Sequence, residues 1–197
     1  MEHLDKLAQL FARFPGIGER QSRRFVYFLL AQNRDYVTDL AQTIETLKQA
    51  VQQCPLCLRY SRLGTDGICD TCSNPSVDRS ILLVVEKDTD HDVIKKSGLY
   101  SGNYFVLGDT IPLIEKRQTR ARTAQLEKRI RDLSVDLKEI ILAFSLTPDG
   151  DHTDEKMREF LSPFKIKISS LGRGLSTGTE IEYSDSETVK YALQNRQ

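Results

Sequence analysis

The 197-residue chain is 39% hydrophobic and 28% charged, and its 28 Lys and Arg balance 28 Asp and Glu, a profile that fits a water-soluble globular protein and not a disordered tail. No apolar run reaches the ~18 residues of a membrane span. The start, MEHLDKLAQLFARF, carries acids where a secretory signal needs a basic start and an unbroken apolar stretch, so a cytoplasmic protein is expected.

Along the chain, Leu4, Leu7, Phe11 and Phe14 recur at helical spacing, and Pro15 ends that helix. A second helix is predicted from Arg20 to Ala31 with Phe25, Phe28 and Leu29 facing inward. A third runs from Tyr36 to Gln53 on a stripe of Leu40, Ile44, Leu47 and Val51. The turn-rich stretch CPLCLRYSRLGTDGICDTC follows. Beyond it, the apolar runs Ile81 to Val85, Tyr104 to Leu107, Ile140 to Phe144 and Ile166 to Ile168 read as buried strands. They alternate with helical patterns at Asp90 to Ser97, Thr119 to Leu133, Thr153 to Leu161 and Asp185 to Gln194. That alternation predicts a parallel sheet covered on both faces. The fold class is therefore α+β in several parts: paired N-terminal helices, a small cysteine finger and a C-terminal α/β domain.

The zero net charge conceals segregation. Lys116 to Arg131 holds seven basic residues and one acid, Glu127, whereas EKDTDHD (Glu86 to Asp92) and PDGDHTDE (Pro148 to Glu155) are acidic. Partners are therefore set by local patches. Taken alone, the basic run is equally well a solvated helix face.

Pro15-Gly16-Ile17-Gly18 lies between two amphipathic helices. Its glycines permit a tight hairpin whose N–H groups, beside a helix N-terminus, suit a phosphate. Arg20, Arg23 and Arg24 follow as counter-charges, and Ile17 is expected to tuck beneath the turn. This is the pattern of a helix-hairpin-helix that grips the DNA backbone without reading sequence; the alternative is an ordinary helix–helix turn. The chain's four cysteines form two C-x-x-C pairs, Cys54/Cys57 and Cys69/Cys72. In a reducing compartment this spacing points to tetrahedral zinc over disulfides or a redox pair. Four thiolates close the site, so the zinc is structural. Glu86 ends one predicted strand, and Asp149 and Asp151 follow another. The C-terminal ends of parallel strands meet at one edge, where these three acids could share magnesium. Asp88, Asp90 and Asp92 read as a solvated loop; His3, His91 and His152 are scattered, and His152, beside Asp151, reads as incidental. The absence of a Gly-x4-Gly-Lys-Ser/Thr loop excludes an ATPase of that kind.

Hairpin helices, a four-cysteine finger and an acidic α/β domain in this order resemble the RecR family of bacterial recombination mediators. The α/β part is similar to a Toprim domain. The likeness runs through Pro15 to Gly18, Arg20, Arg24, the four cysteines, VVE (Val84 to Glu86), YSGNYFVLGDTIPL (Tyr100 to Leu113) and EIEYSDSETVKYALQNR (Glu180 to Arg196). Asp149 and Asp151 stand where the family usually has glutamates, Phe105 where it has histidine and Asp109 where it has glycine. Ser170 and Ser176 stand where it commonly carries arginine and proline. The resemblance implies a non-enzymatic binding protein, a ring-shaped homotetramer that clamps DNA and acts with RecO and RecF to load RecA onto single-stranded gaps. The Toprim acids Glu86, Asp149 and Asp151 would help dock RecO. The implied parts are residues 1–53 (helix-hairpin-helix), 54–77 (zinc finger), 78–170 (Toprim) and 171–197 (oligomerisation). The main alternative is a magnesium-dependent Toprim nuclease or nucleotidyl-transfer enzyme; a zinc-stabilised interaction module without nucleic acid is the third.

Overall fold

The computed structural model describes residues 2–113, 121–172, 174–175, 178 and 180–195. The leading part of the basic run (116–120), Ser176 and Arg196 lie outside the described residues. The chain divides into two compact units, Met1–Gln52 and Gln53–Gln197.

The first unit holds α1 (Glu2–Phe11), α2 (Glu19–Ala31) and α3 (Arg34–Ala50). Ala8 of α1 and Val26 of α2 are buried. The Phe11 ring meets Phe14 and Phe25 edge-on at 5.8 and 5.7 Å. Asn33 caps α3, its side-chain oxygen accepting from the Tyr36 N–H at 2.8 Å. Two expectations need correction. Phe28 does not face inward: it is 52% exposed, its ring against Tyr36. The α3 stripe is not a core face within this chain either, since Ile44 and Leu47 are 59% and 58% exposed. Periodicity identifies an apolar stripe without identifying what covers it, and three short helices offer little surface to cover one.

The two-residue strand β1 (Gln52–Gln53) falls at the boundary of the units, and β2 (Tyr60–Ser61) and the short helix α4 (Asp70–Ser73) follow around the cysteines. The second unit continues as β3 (Asp78–Val85), α5 (Asp88–Ser97), β4 (Gly102–Val106), α6 (Thr123–Leu133), β5 (Glu139–Ala143), α7 (Pro148–Leu161), β6 (Lys167–Ser170) and, near the end, α8 (Ser186–Gln194). The sheet order is β4-β3-β5-β6, and each of these pairs is parallel, with Val84 aligned to Phe105 on one side and Leu142 on the other. The predicted parallel sheet is therefore present. Alternate residues serve opposite faces. Leu82, Val84, Phe105, Ile140 and Leu142 pack with Leu126 and Ile130 of α6 and Met157 and Leu161 of α7. Leu83, Val85, Tyr104 and Val106 pack with Ile94 of α5 and with Tyr100.

Helix α7 starts five residues before the predicted Thr153. Pro148 occupies its first turn and the Thr147 hydroxyl caps it, accepting from the Gly150 N–H at 3.1 Å. Gly150 is buried, and a β-carbon there would collide with the Ser145 carbonyl.

The cysteine segment docks onto the open edge of β4. The Val106 N–H donates to the Cys57 carbonyl at 2.8 Å, and Arg122 Nη1 donates to the Leu58 and Val106 carbonyls at 2.9 and 3.1 Å. The Tyr60 N–H donates to Asp88 Oδ1 at 2.7 Å. Arg59 Nη1 lies 3.1 Å from Thr71 Oγ1 and 3.3 Å from His91 Nε2. The expectation of a merely solvated acidic loop is corrected here: Asp88 anchors the finger. His91 is wholly buried, edge-on to Tyr104 at 4.4 Å, with Nδ1 3.1 Å from Asp92 Oδ1. A guanidinium can only donate, so Nε2 is the acceptor and the neutral ring carries its proton on Nδ1.

Two predictions follow from this packing. Gly→Ala in a helix ordinarily stabilises, but Gly150→Ala should lower unfolding free energy by about 1–3 kcal/mol through overpacking, read by urea denaturation; a stabilised variant would refute the close approach. Burial, with Asp92 opposing and Arg59 reinforcing, holds the His91 pKa below its ordinary value. Its folded pKa is thus lower than its unfolded pKa of about 6.5, and the stability it contributes is present above that value and is lost as pH falls. Between pH 7.5 and 5.5 the wild type should lose more unfolding free energy than His91→Gln; equal losses would show that His91 does not stay neutral in the fold.

Candidate functional site

Three groupings carry chemistry. The first is the cysteine cluster. Cys54, Cys57 and Cys69 are fully buried, Cys72 is partly so, and the four Sγ atoms lie within 4.8 Å of one another. Each pair is presented by a tight turn. Leu58 takes a left-handed φ of 58° as its N–H returns to the Cys54 carbonyl at 2.9 Å, and the Cys54 N–H donates to the Arg59 carbonyl at 2.9 Å. On the other side, the Gly64 N–H donates to the Ile68 carbonyl at 2.8 Å, and Ser73 N–H to the Cys69 carbonyl at 3.0 Å. All four thiols are free. Hydrogen bonds among the four sulfurs pull the Cys54 and Cys69 pKa values down and push those of Cys57 and Cys72 up, so the cluster shares its protons, and a dication would replace them on the thiolates it binds. These residues fit a metal ion with tetrahedral thiolate coordination.

The second grouping is the hairpin. α1 ends at Phe11 and α2 starts at Glu19. The turn between them closes through the Phe14 N–H to the Phe11 carbonyl at 3.0 Å and the Ile17 N–H to the Phe14 carbonyl at 3.1 Å. Gly16 takes a left-handed φ of 75°, which a side chain would resist. Gly18 differs: its φ is an ordinary −87°, and a β-carbon there would meet nothing within 4 Å. It caps α2 without a side chain, leaving the first-turn N–H groups uncovered. Ile17 is half-buried, and Arg20, Arg23 and Arg24 are exposed. Arg23 Nη2 is 3.2 Å from Asp5 Oδ1, and Arg24 Nη1 donates to Gln21 Oε1 at 3.2 Å. Of the predicted counter-charges, Arg20 and Arg24 have no acidic partner among the described residues, while Arg23 spans the two helices.

The third grouping is acidic. Glu86 follows β3 and is only 4% exposed. Its Oε2 accepts from the Ser145 hydroxyl at 2.8 Å, and its Oε1 is 2.6 Å from Lys87 Nζ. Burial raises its pKa, but the Lys87 ammonium and Ser145 outweigh that effect and hold it below the usual value. Asp149 and Asp151 sit in the first turn of α7, where the helix dipole favours negative charge. Asp149 Oδ1 accepts from the Leu113 N–H at 3.1 Å. Magnesium wants several carboxylate oxygens converging on one point. Among the described residues, the cysteines are the only Asp, Glu, His or Cys group with ligand atoms that close. Glu86, Asp149 and Asp151 are not brought together into such a group. Sequence reading missed Lys87, whose signal was visible: it is the one cation within EKDTDHD and directly follows Glu86.

No helix among the described residues is long and apolar enough to cross a membrane. Two family models match the chain: "RecR, helix-hairpin-helix" over residues 4–48 and "RecR, C-terminal" over residues 174–197. The chain is 34% identical over 191 residues to the recombination protein RecR of Lactobacillus acidophilus, covering 96% of this chain and 94% of that protein. It is 31% identical over 194 residues to the RecR of Bifidobacterium longum subsp. infantis, covering 98% and 94%. It is 31% identical over 195 residues to the RecR of Dehalococcoides mccartyi, covering 98% and 93%. At this identity over nearly the whole length of both partners, the chain belongs to the RecR family of recombination proteins.

Proposed function

We propose that this protein is a DNA-binding recombination mediator of the bacterial cytoplasm, a binding protein and not an enzyme, that clamps DNA in recombinational repair. The observation that carries this reading is the hairpin. Gly18 has no conformational or packing reason within the chain to lack a side chain, and it opens the N-terminus of α2 beside the exposed Arg20 and Arg24. Such a surface suits a backbone phosphate held by main-chain N–H groups and flanking guanidinium groups. In this scheme Gly16, Gly18, Arg20, Arg23 and Arg24 are the DNA-contacting set, Arg23 serving also to brace α1 against α2. Residues 1–53 hold DNA, 54–77 form a zinc finger, 78–170 form the Toprim domain, and 171–197 join copies of the chain.

The exposed stripe of Ile44 and Leu47 on α3 supports a homo-oligomer, in line with the tetrameric ring the family resemblance implies, because apolar rows of this kind are ordinarily covered. RecO and RecF are the proposed partners and loading of RecA onto single-stranded gaps the proposed outcome. Asp149 and Asp151 serve there as an acidic docking face for RecO, with the buried Glu86 behind them, in preference to a magnesium site. The nuclease alternative needs Glu86 open to a cation, whereas both its oxygens have protein partners.

Arg20→Glu/Arg24→Glu should weaken binding to unrelated sequences alike, by roughly tenfold or more. It should also flatten the plot of log affinity against log salt by about 0.7–0.9 for each phosphate that is no longer neutralised. Fluorescence anisotropy on a gapped duplex at several salt concentrations reads both, and unchanged affinity would remove the hairpin from the interface. The cysteine cluster should carry about one zinc per chain, released by a mercurial titrant and counted with a chromogenic chelator. Cys57→Ser should lose that zinc and unfold the finger at lower urea concentration; full folding without metal would show that the cluster is not a structural zinc site.

A further inference from the structure

Toprim-like acids at the C-terminal edge of a parallel sheet invite a divalent cation, yet the structure gives Glu86 a different counter-ion. We propose that Lys87 is a resident cation of the acidic site: its ammonium, salt-bridged to Glu86, stands in for a metal ion and keeps the site from binding one. This inference is independent of the DNA-binding reading.

Geometry carries it. The Glu86 carboxylate is buried, so its charge needs a partner close by. One oxygen is taken by Lys87 Nζ at 2.6 Å and the other by the Ser145 hydroxyl at 2.8 Å, with the Ser145 N–H at 3.4 Å. Each carboxylate oxygen thus already has a protein donor, and a dication brought beside the ammonium would be repelled by it. The lysine is fixed at its root, because its N–H donates to Asp90 Oδ2 at 2.9 Å as α5 begins. This leaves its tail to lie back on the residue before it. Asp90 and Asp109 add to the pull of Glu86 in raising the Lys87 pKa. The surrounding acids thus act on one ammonium. Asp149 and Asp151, across the sheet edge, belong to the first turn of α7, and Asp149 already accepts a main-chain hydrogen bond.

The test uses the zinc-loaded full chain and Mn2+ as the probe, followed by loss of the free-ion electron paramagnetic resonance signal. Three proteins are compared: wild type, Lys87→Met, and Lys87→Met combined with Glu86→Gln. Lys87→Gln serves if the methionine variant does not fold. Far-UV circular dichroism and zinc content verify each fold. Lys87→Met should bind Mn2+ roughly tenfold or more tightly than wild type, and the double variant should return to the wild-type level. The proposal is overturned if Lys87→Met gains nothing or if its gain survives Glu86→Gln. It is also overturned if wild type itself takes up an Mn2+ ion that Glu86→Gln abolishes; that result needs no lysine variant.

Discussion

A single main-chain hydrogen bond, from the Val106 N–H to the Cys57 carbonyl, joins the two kinds of structure in the second unit. β4 is an edge strand, and an open edge is a template for unwanted pairing. The cysteine segment lacks the apolar surface to fold alone. Each problem is answered by the other: the first knuckle covers part of the edge, and the edge gives the knuckle a fixed seat. The ties around that bond repeat the logic in side chains. Arg122 bridges the Leu58 and Val106 carbonyls, Asp88 receives the Tyr60 N–H, and Arg59 reaches both Thr71 and the buried His91. Metal-ligand spacing and sheet-edge protection are thus one device here, and a change in the thiol cluster would be felt in the core behind β4.

The sheet was legible because its strands are buried on both faces. Ile81 to Val85 and Ile140 to Phe144 read as continuous apolar runs, as parallel strands do. The cysteine cluster was legible because ligation imposes a spacing that turns cannot hide. The start of α7 was not, since Pro148-Asp149-Gly150-Asp151 looks like loop composition. Proline in the first turn and a Thr147 cap make it a helix start, with Gly150 required by its approach to Ser145. Asp88 was misread for a related reason. Nothing local distinguishes an anchoring acid from a solvated one when its partner, the Tyr60 N–H, is 28 residues away. The outward-facing Phe28 and Ile44 mark the same limit, because a period gives the face of a helix and not its neighbour.

The acidic edge shows why recognition of a fold does not fix the chemistry at its site. Parallel topology delivers Glu86 and the α7 acids to one end of the sheet whatever the protein does there. The finer environment decides the outcome. Ser145, which crowds Gly150 from behind, also supplies the hydroxyl that Glu86 accepts, so the tight β5–α7 turn and the carboxylate are coupled. The Lys87 ammonium lies 2.6 Å from the Glu86 carboxylate, so the charge at this edge is already partly balanced from within the chain.

Charge segregation resolves the apparent conflict between zero net charge and a phosphate-binding reading. Long-range attraction scales with net charge, but contact energy depends on groups within about a Debye length, ~8 Å at physiological salt. On the hairpin, Arg20 and Arg24, with no acidic partner among the described residues, stand beside uncovered N–H groups. Arg23 is neutralised by Asp5, which stiffens the helix pair that presents them. Of the acids that balance the count, Glu19 stands in the first turn of α2 itself, but many others are already held: Asp88 by a main-chain N–H, Asp70 by Lys95 and Arg59, Glu86 by Lys87, Asp154 by Arg158. Charges consumed in structure project little field, so the balanced sum overstates the negative potential a phosphate would meet at the hairpin.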